Sequence, residues 1–123
     1  EPVVPCGDYS TQRVVYFEWD SADVTSSAST VLEETVESIM AADYCSVGSI
    51  TIVGHTDASG PKAYNEKLSE KRSVAVRDAL MGMGMSADQV VLEAKGESEL
   101  AKDTADGVRE PLNRRSEIMI IVQ

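Results

Sequence analysis

One basic side chain of this sequence falls at a position where an apolar side chain is expected. The spacing of apolar residues predicts a helix from Pro61 to about Met83, and Arg72 lies on its apolar stripe. Asn65 lies on the same stripe one or two turns earlier. The opposite side carries the charged residues Glu66, Lys67, Glu70, Lys71, Arg77 and Asp78. Because a guanidinium loses hydration on burial, we expect Arg72 to meet an anion supplied by this chain or by a ligand.

The obvious nearby acid is Asp57, in the turn that leads into this helix. The turn His55-Thr56-Asp57-Ala58-Ser59-Gly60 follows a predicted strand, and its backbone N–H groups can lie free at the helix N-terminus. These groups suit a zwitterion such as an amino-acid end, with Asp57 taking an ammonium and Arg72 clamping a carboxylate in fork geometry. The alternative is that Arg72 reaches the helix edge or forms a structural salt bridge and binds no ligand.

The elements that position these residues follow from the apolar periodicity of the chain. Predicted strands cover 13–19, 49–53, 89–94 and 116–122, and predicted helices cover 28–42 and 61–83. Residues 1–10 are expected to form an irregular lead-in, and residues 96–111 a polar loop. The order β-α-β-α-β-β predicts an α/β (α+β) two-layer sandwich, in which both helices cover one face of a four-stranded sheet. The domain is expected to span 11–123.

Composition limits the classes of function. The chain has 123 residues, of which 42% are hydrophobic, enough for the core of one compact domain. Its formal charge of −10 argues against binding to nucleic acid and against contact of this fragment with an anionic membrane. No apolar run reaches the roughly 18 residues of a membrane-spanning helix. The absence of a signal peptide and of an initiator Met indicates a mature or excised fragment.

The two cysteines, Cys6 and Cys45, predict one disulfide between the N-terminal segment and the region after the first helix. A disulfide implies an oxidising compartment. The alternative is a pair of buried free thiols, whereas lipidation of Cys6 is disfavoured because Pro5 precedes it. His55 is the only histidine, so a zinc site lacks ligands. The sequence predicts no metal site and no cofactor.

Over about residues 12–123, the sequence resembles the OmpA-like peptidoglycan-binding domains. The core of the resemblance is Gly54-His55-Thr56-Asp57, Gly60, Tyr64-Asn65, Leu68-Ser69, Arg72, Val76, Leu80 and Gly84. Val15-Tyr16-Phe17 resembles the first strand of that family, and Gly96 with Asn113-Arg114-Arg115 resembles its C-terminal signature. The resemblance implies a mixed four-stranded sheet whose last strand runs antiparallel.

The resemblance also implies a function, which is to bind peptidoglycan without cutting it. The contact would be the free diaminopimelate end of the stem peptide, which carries an amine and a carboxylate. Asp57 and Arg72 would form the clamp. The full set of ligand-binding residues implied by the resemblance is Asp57, Arg72, Asn65, Arg114, Asp20 and Ser59. We expect the domain to lie in the periplasm and to anchor an envelope protein to the wall, with attachment to the outer membrane through a part absent from this sequence.

Two features depart from the family pattern and keep other functions open. Trp19 is larger than the residue usual in the first loop, and the segment Ala101–Glu110 is acidic. The alternative function is therefore a periplasmic protein-interaction module whose acidic surface docks a basic partner, such as another envelope protein. A wall hydrolase would need a nucleophile or a metal triad, which we do not find, so the sequence predicts that the protein is not an enzyme.

Overall fold

The computed structural model describes residues 3–123 of the chain. The strands are β1 (Thr11–Tyr16), β2 (Val47–Gly54), β3 (Gln89–Ala94) and β4 (Arg115–Val122), and the helices are α1 (Ser26–Met40) and α2 (Lys62–Gly82). Single turns of 3-10 helix cover Cys6–Tyr9 and Pro111–Asn113. The order of strands and helices is the predicted β-α-β-α-β-β arrangement.

The four strands form one mixed sheet in the order β1-β4-β2-β3, which confirms the predicted fold class. β2 and β3 run parallel and are joined by the α2 crossover, whereas β4 runs antiparallel to both β1 and β2. Along β4, Ile118 and Ile120 are buried, while Met119 and Ile121 are 42% and 43% exposed. The two buried isoleucines share one core with side chains of both helices. Both helices therefore pack on the same face of the sheet, as predicted.

The strand directions bring three loops to one edge of the sheet. β1 and β2 both run antiparallel to β4, so they end at the edge where β4 begins. Tyr16, the last residue of β1, lies opposite Arg115, and Gly54, the last residue of β2, lies opposite Ser116. The loops that follow β1 and β2 therefore meet the loop that precedes β4 beside the start of α2.

Gly54 lets α2 lie unusually close to the sheet. A Cβ atom at this position would lie 1.9 Å from the carbonyl oxygen of Ser69, so any side chain would push the helix away. The hydroxyl of Ser69 also accepts a hydrogen bond from the backbone N–H of Gly96, at 2.9 Å. These contacts hold the middle of α2, including Arg72 about one turn further on, over the end of β2.

Cys6 and Cys45 form the predicted disulfide, with their Cα atoms 5.7 Å apart. The bond joins the N-terminal 3-10 turn to the segment between α1 and β2. The Tyr44 hydroxyl reinforces this link by donating to the carbonyl oxygen of Val4, at 2.7 Å. The lead-in predicted as irregular therefore contains an ordered turn, and its first two residues lie outside the described residues.

The first strand ends earlier than the predicted range 13–19, because the chain turns after Phe17. The backbone N–H of Phe17 still donates to the carbonyl oxygen of Arg114, at 2.8 Å. Ser21 then donates its N–H back to the carbonyl oxygen of Glu18, at 3.2 Å, and Asp20 adopts a left-handed backbone with φ of 53°. Among residues 3–123, no helix has the length and apolar character needed to cross a bilayer.

Candidate functional site

A pocket of about 290 Å³ lies at the edge of the sheet where the three loops meet. Its lining residues are Trp19, Asp20, Asp57, Ser59, Gly60, Pro61, Tyr64, Asn65, Leu68, Arg72 and Arg114. The structure therefore brings all six residues that the sequence proposed for the site to the wall of one pocket. They come from the loop after β1, the loop after β2, the first half of α2 and the loop before β4.

Arg72 is fully buried and donates to three backbone carbonyls. Its Nε donates to Ser21 at 2.9 Å, its Nη1 to His55 at 2.8 Å and its Nη2 to Glu18 at 3.2 Å. Its guanidinium carbon also lies 5.2 Å from the ring centre of Phe17. Arg72 therefore ties the turn after β1 to the turn after β2. Among residues 3–123, no carboxylate lies within salt-bridge distance of Arg72, so the chain supplies carbonyl oxygens rather than the structural salt bridge considered from the sequence.

The positive charge of Arg72 lies in a poorly hydrated part of the protein. Burial lowers the pKa of Arg72 to about 10, while the nearby carboxylate of Asp57 acts in the opposite direction. The guanidinium is still protonated at neutral pH. Of its five N–H groups, the three backbone contacts use one on each nitrogen, which leaves one on each terminal nitrogen. A carboxylate that binds a guanidinium end-on accepts one N–H from each terminal nitrogen.

The carboxylate of Asp57 joins the loop after β2 to the loop before β4. Its Oδ1 accepts from the hydroxyl and the backbone N–H of Ser59, at 2.6 and 3.2 Å. Its Oδ2 accepts from the backbone N–H of Glu110, at 3.2 Å, and lies 3.4 Å from Nη1 of Arg114. Arg114 in turn donates from Nε to the carbonyl oxygen of Phe17, at 3.1 Å. Arg114, rather than Arg72, is therefore the ion-pair partner of Asp57.

Asn65 shapes the turn that carries Asp57 and Ser59. Its buried side-chain amide donates to the carbonyl oxygen of Ser59, at 2.9 Å, and to a carboxylate oxygen of Glu97, at 3.3 Å. Gly60 follows with φ of 84°, a backbone conformation that favours glycine. These contacts hold the Asp57 turn at the start of α2.

Asp20 and Tyr64 form the outer part of the pocket. The Tyr64 hydroxyl donates to Oδ1 of Asp20, and this hydrogen bond raises the pKa of Tyr64. Tyr64 remains 51% exposed, so its ring is available to a ligand. Sequence reasoning proposed no role for Tyr64. The signal was present, because Tyr64 lies four residues before Leu68 and so about one helical turn away on nearly the same side of α2.

His55 does not form a catalytic pair with Asp57. Its buried ring lies against β4, with Nε2 3.4 Å from Oε1 of Glu117. Burial and the charge of Arg115 lower the pKa of His55, while Glu117 opposes them. The backbone of His55 serves the site, because its carbonyl oxygen accepts from Arg72.

Comparison with known proteins agrees with the architecture of this site. A family model described as the OmpA family matches residues 16–114. The chain belongs to the OmpA family. The matched region contains all six residues proposed for the site, which lie between residues 20 and 114.

Curated OmpA-family relatives are longer than this chain. "Outer membrane protein A" of Bordetella avium is 32% identical over 108 residues, which cover 86% of this chain and 53% of that protein. "Outer membrane porin F" of Pseudomonas aeruginosa is 44% identical over 70 residues, which cover 56% of this chain and 20% of that protein. The chain thus spans about half of the first relative and a fifth of the second. Both of these relatives of the OmpA-family domain are named as outer-membrane proteins.

Solved structures show the same fold. The peptidoglycan-associated lipoprotein from Burkholderia pseudomallei matches with a TM-score of 0.72 and 28% identity, over 90% of both chains. The cell wall anchor of the T6SS from Pseudomonas aeruginosa matches with a TM-score of 0.69 and 21% identity, over 94% of this chain and 90% of that chain. Because the second structure is only 21% identical in sequence, its similarity shows only that the OmpA-family domain shares its fold.

Proposed function

We propose that this domain binds peptidoglycan without cleaving it and that the pocket takes the diaminopimelate end of the stem peptide. The observation that carries the proposal is a buried guanidinium, Arg72, and a nearly buried carboxylate, Asp57, on the wall of one pocket. A ligand end that bears both an ammonium and a carboxylate satisfies both side chains at once. The family match and the Burkholderia pseudomallei lipoprotein, whose name calls it peptidoglycan-associated, support the same ligand class.

The carboxylate of the ligand is proposed to bind between two arginines. Arg72 offers one N–H on each terminal nitrogen, and a carboxylate that accepts both forms a bidentate pair. Arg114 reaches the same pocket through a 3.4 Å contact with Asp57, which is long enough to be exchanged for a ligand oxygen. Burial strengthens both contacts because little water competes for the donors.

The ammonium of the ligand is proposed to bind Asp57, with Asp20 as a second acid at the outer side. Ser59 and Asn65 serve by holding the Asp57 turn in place through hydrogen bonds of 2.6 and 2.9 Å. No cysteine or histidine lines the pocket, and its two hydroxyl groups, on Ser59 and Tyr64, both donate to carboxylates. We therefore propose a binding module rather than an enzyme.

The proposed setting is the periplasm, where the domain would tether an envelope protein to the cell wall. The disulfide between Cys6 and Cys45 supports an oxidising compartment, and the outer-membrane relatives support an envelope protein. We propose that residues 11–123 form the binding domain, that residues 1–10 lead into it, and that attachment to the outer membrane lies in another part of the protein.

The test is co-sedimentation with purified sacculi of two kinds. Wild-type protein should pellet with diaminopimelate-containing sacculi and much less with lysine-containing sacculi, because lysine has the side-chain amine and lacks the second carboxylate. Asp57→Asn should abolish pelleting. Asp78→Asn, on the exposed face of α2, is the matched control and should pellet like wild type. Equal pelleting with both kinds of sacculi would contradict the proposed ligand, and normal pelleting of Asp57→Asn would contradict the proposed site.

A second candidate function is docking of a basic partner protein on the acidic surface. The observation that favours it is the net charge of −10, which includes exposed acids such as Asp103 and Asp106 in the loop before β4. This function predicts association with a protein partner that weakens steeply as salt is raised, together with no retention by sacculi. The same sedimentation experiment therefore separates the two functions.

A further inference from the structure

Trp19 and Arg109 form a cation–π stack next to the pocket. The guanidinium carbon of Arg109 lies 3.5 Å from the ring centre of Trp19, and Trp19 lines the pocket while remaining 45% exposed. Stacking occupies the flat face of a guanidinium and leaves its N–H edges open to other partners. Among residues 3–123, no carboxylate lies within ion-pair distance of Arg109, although the chain carries a net charge of −10.

Both members of the stack are fixed relative to Asp57. Trp19 donates from its indole Nε1 to the hydroxyl of Ser59, at 3.1 Å, and that hydroxyl donates to Asp57, at 2.6 Å. Arg109 precedes Glu110, whose backbone N–H donates to the other oxygen of Asp57, at 3.2 Å. The stack therefore stands at a set position beside the carboxylate proposed to hold the ammonium of the ligand.

A peptide that is held at one end in the pocket and leaves it on the Trp19 side passes this stack. The rest of a stem peptide carries further carboxylates, and most of the domain's surface charge repels them. Arg109 places an oriented cation beside the pocket, and its N–H edges are open to a ligand. The Trp19 ring offers an apolar face to the peptide. If Arg109 served only to cover Trp19, this acidic domain would not need a cation there. Arg109 is such a cation, and it has no carboxylate partner among residues 3–123.

We propose that the Trp19–Arg109 stack is a second subsite, which binds a carboxylate of the stem peptide other than the one at the diaminopimelate end. This proposal rests on the proposed function and deepens it. The stack makes the domain selective for stem peptides whose remaining carboxylates are free over peptides in which those carboxylates are amidated. Trp19 acts as the support that holds the guanidinium of Arg109 in place.

Calorimetric titration of the whole chain with two synthetic stem peptides tests this subsite. Both peptides keep a free diaminopimelate end, and they differ only in whether the remaining carboxylates are free or amidated. Wild-type protein should prefer the free peptide by up to about fivefold, the upper end of the gain from one solvent-exposed ion pair, and the preference should fall at high salt. Arg109→Gln should bring the ratio of the two affinities close to one. Trp19→Ala should also lower the ratio, because the guanidinium then loses its support.

Arg77→Gln is the matched control, because Arg77 is another exposed arginine and contacts its neighbour Asp78. It should keep the wild-type ratio. A wild-type protein without preference, or an Arg109→Gln variant with an unchanged ratio, would overturn the subsite while binding of both peptides still supported the proposed function. If wild-type protein binds neither peptide, the proposed function fails and the subsite fails with it.

Discussion

Arg72→Lys separates the effect of charge from the effect of geometry at the centre of the site. The variant keeps the positive charge, but lysine has one nitrogen where arginine has three. In the wild-type protein, the carbonyls of Glu18, Ser21 and His55 each accept a hydrogen bond from a different nitrogen of Arg72. The single ammonium nitrogen of lysine cannot form all three of these bonds. We expect two of these bonds to be lost. With about 1.5 kcal/mol for each bond to a charged group, the free energy of unfolding should fall by about 3 kcal/mol.

The same substitution should weaken ligand binding for a separate reason. The two N–H groups proposed for the ligand carboxylate disappear, while the attraction between opposite charges remains. Loss of the bidentate contact should cost about 2 kcal/mol of binding free energy, which corresponds to a dissociation constant roughly 30-fold higher.

Urea unfolding measures the first effect, and calorimetric titration with a diaminopimelate-containing peptide measures the second. Arg77→Lys is the matched control, because it makes the same change on the exposed side of α2, where Arg77 contacts its neighbour Asp78. The control should stay within about 0.5 kcal/mol of wild type in stability. If Arg72→Lys binds the peptide within about threefold of wild type, charge alone suffices, and the guanidinium fork plays no part in recognition.

Three further predictions concern the supports of the site and of the fold. Asn65→Ala removes the amide that holds the Ser59 carbonyl at 2.9 Å, so stability should fall by about 1–2 kcal/mol and peptide affinity should drop; unaltered affinity in calorimetry would show that the turn holds its shape without the amide. Replacing Cys6 and Cys45 by Ser opens a link between residues 39 apart in sequence and should cost up to about 4 kcal/mol in urea unfolding. Peptide binding should persist, because neither cysteine lines the pocket and Cys45 lies before the start of β2, whereas Asp57 and Ser59 follow its end. Because the pKa of buried His55 is lowered from 6.5, the unfolded chain takes up its proton first as the pH falls, and stability should decrease below about pH 6.5. The pKa of Glu117 is lowered too, but its protonation destabilises the fold only below about pH 4.5. Between about pH 4.5 and pH 6.5, the melting temperature of His55→Gln should therefore not fall with pH as that of wild type does. An equal fall in the variant and in wild type would contradict the assignment to His55.

Much of the fold follows from local periodicity. The β3 range is the predicted one, and the ends of the two long helices differ from prediction by two residues or fewer. The exception is the end of β1, which was predicted at Trp19 and lies at Tyr16. Trp19 extends the apolar pattern of the strand, whereas the chain turns because Arg72 binds the carbonyl of Glu18 and Asp20 adopts a left-handed backbone. Such long-range contacts leave no periodic trace in the sequence.

The site, like the fold, could be predicted from the sequence only in part. The helical wheel predicts that Arg72 is buried, because the face of a helix is a local property. The partners of Arg72 could not be predicted, since any backbone carbonyl can accept a hydrogen bond and no residue type marks the ones that do. The pairing of Asp57 with Arg114 joins positions 57 residues apart, and a single sequence gives no measure of that distance in space.

The position of β4 sets an order of events during folding. β4 lies between β1 and β2 in the sheet, although it is the last strand to be synthesised. Until residues 115–122 have emerged, β1 has no neighbour with which to pair, and Arg114 is not yet present to reach the carboxylate of Asp57. Nascent chains of this domain therefore remain open until β4 has emerged, and a chain that stops before β4 lacks both the closed sheet and the assembled pocket.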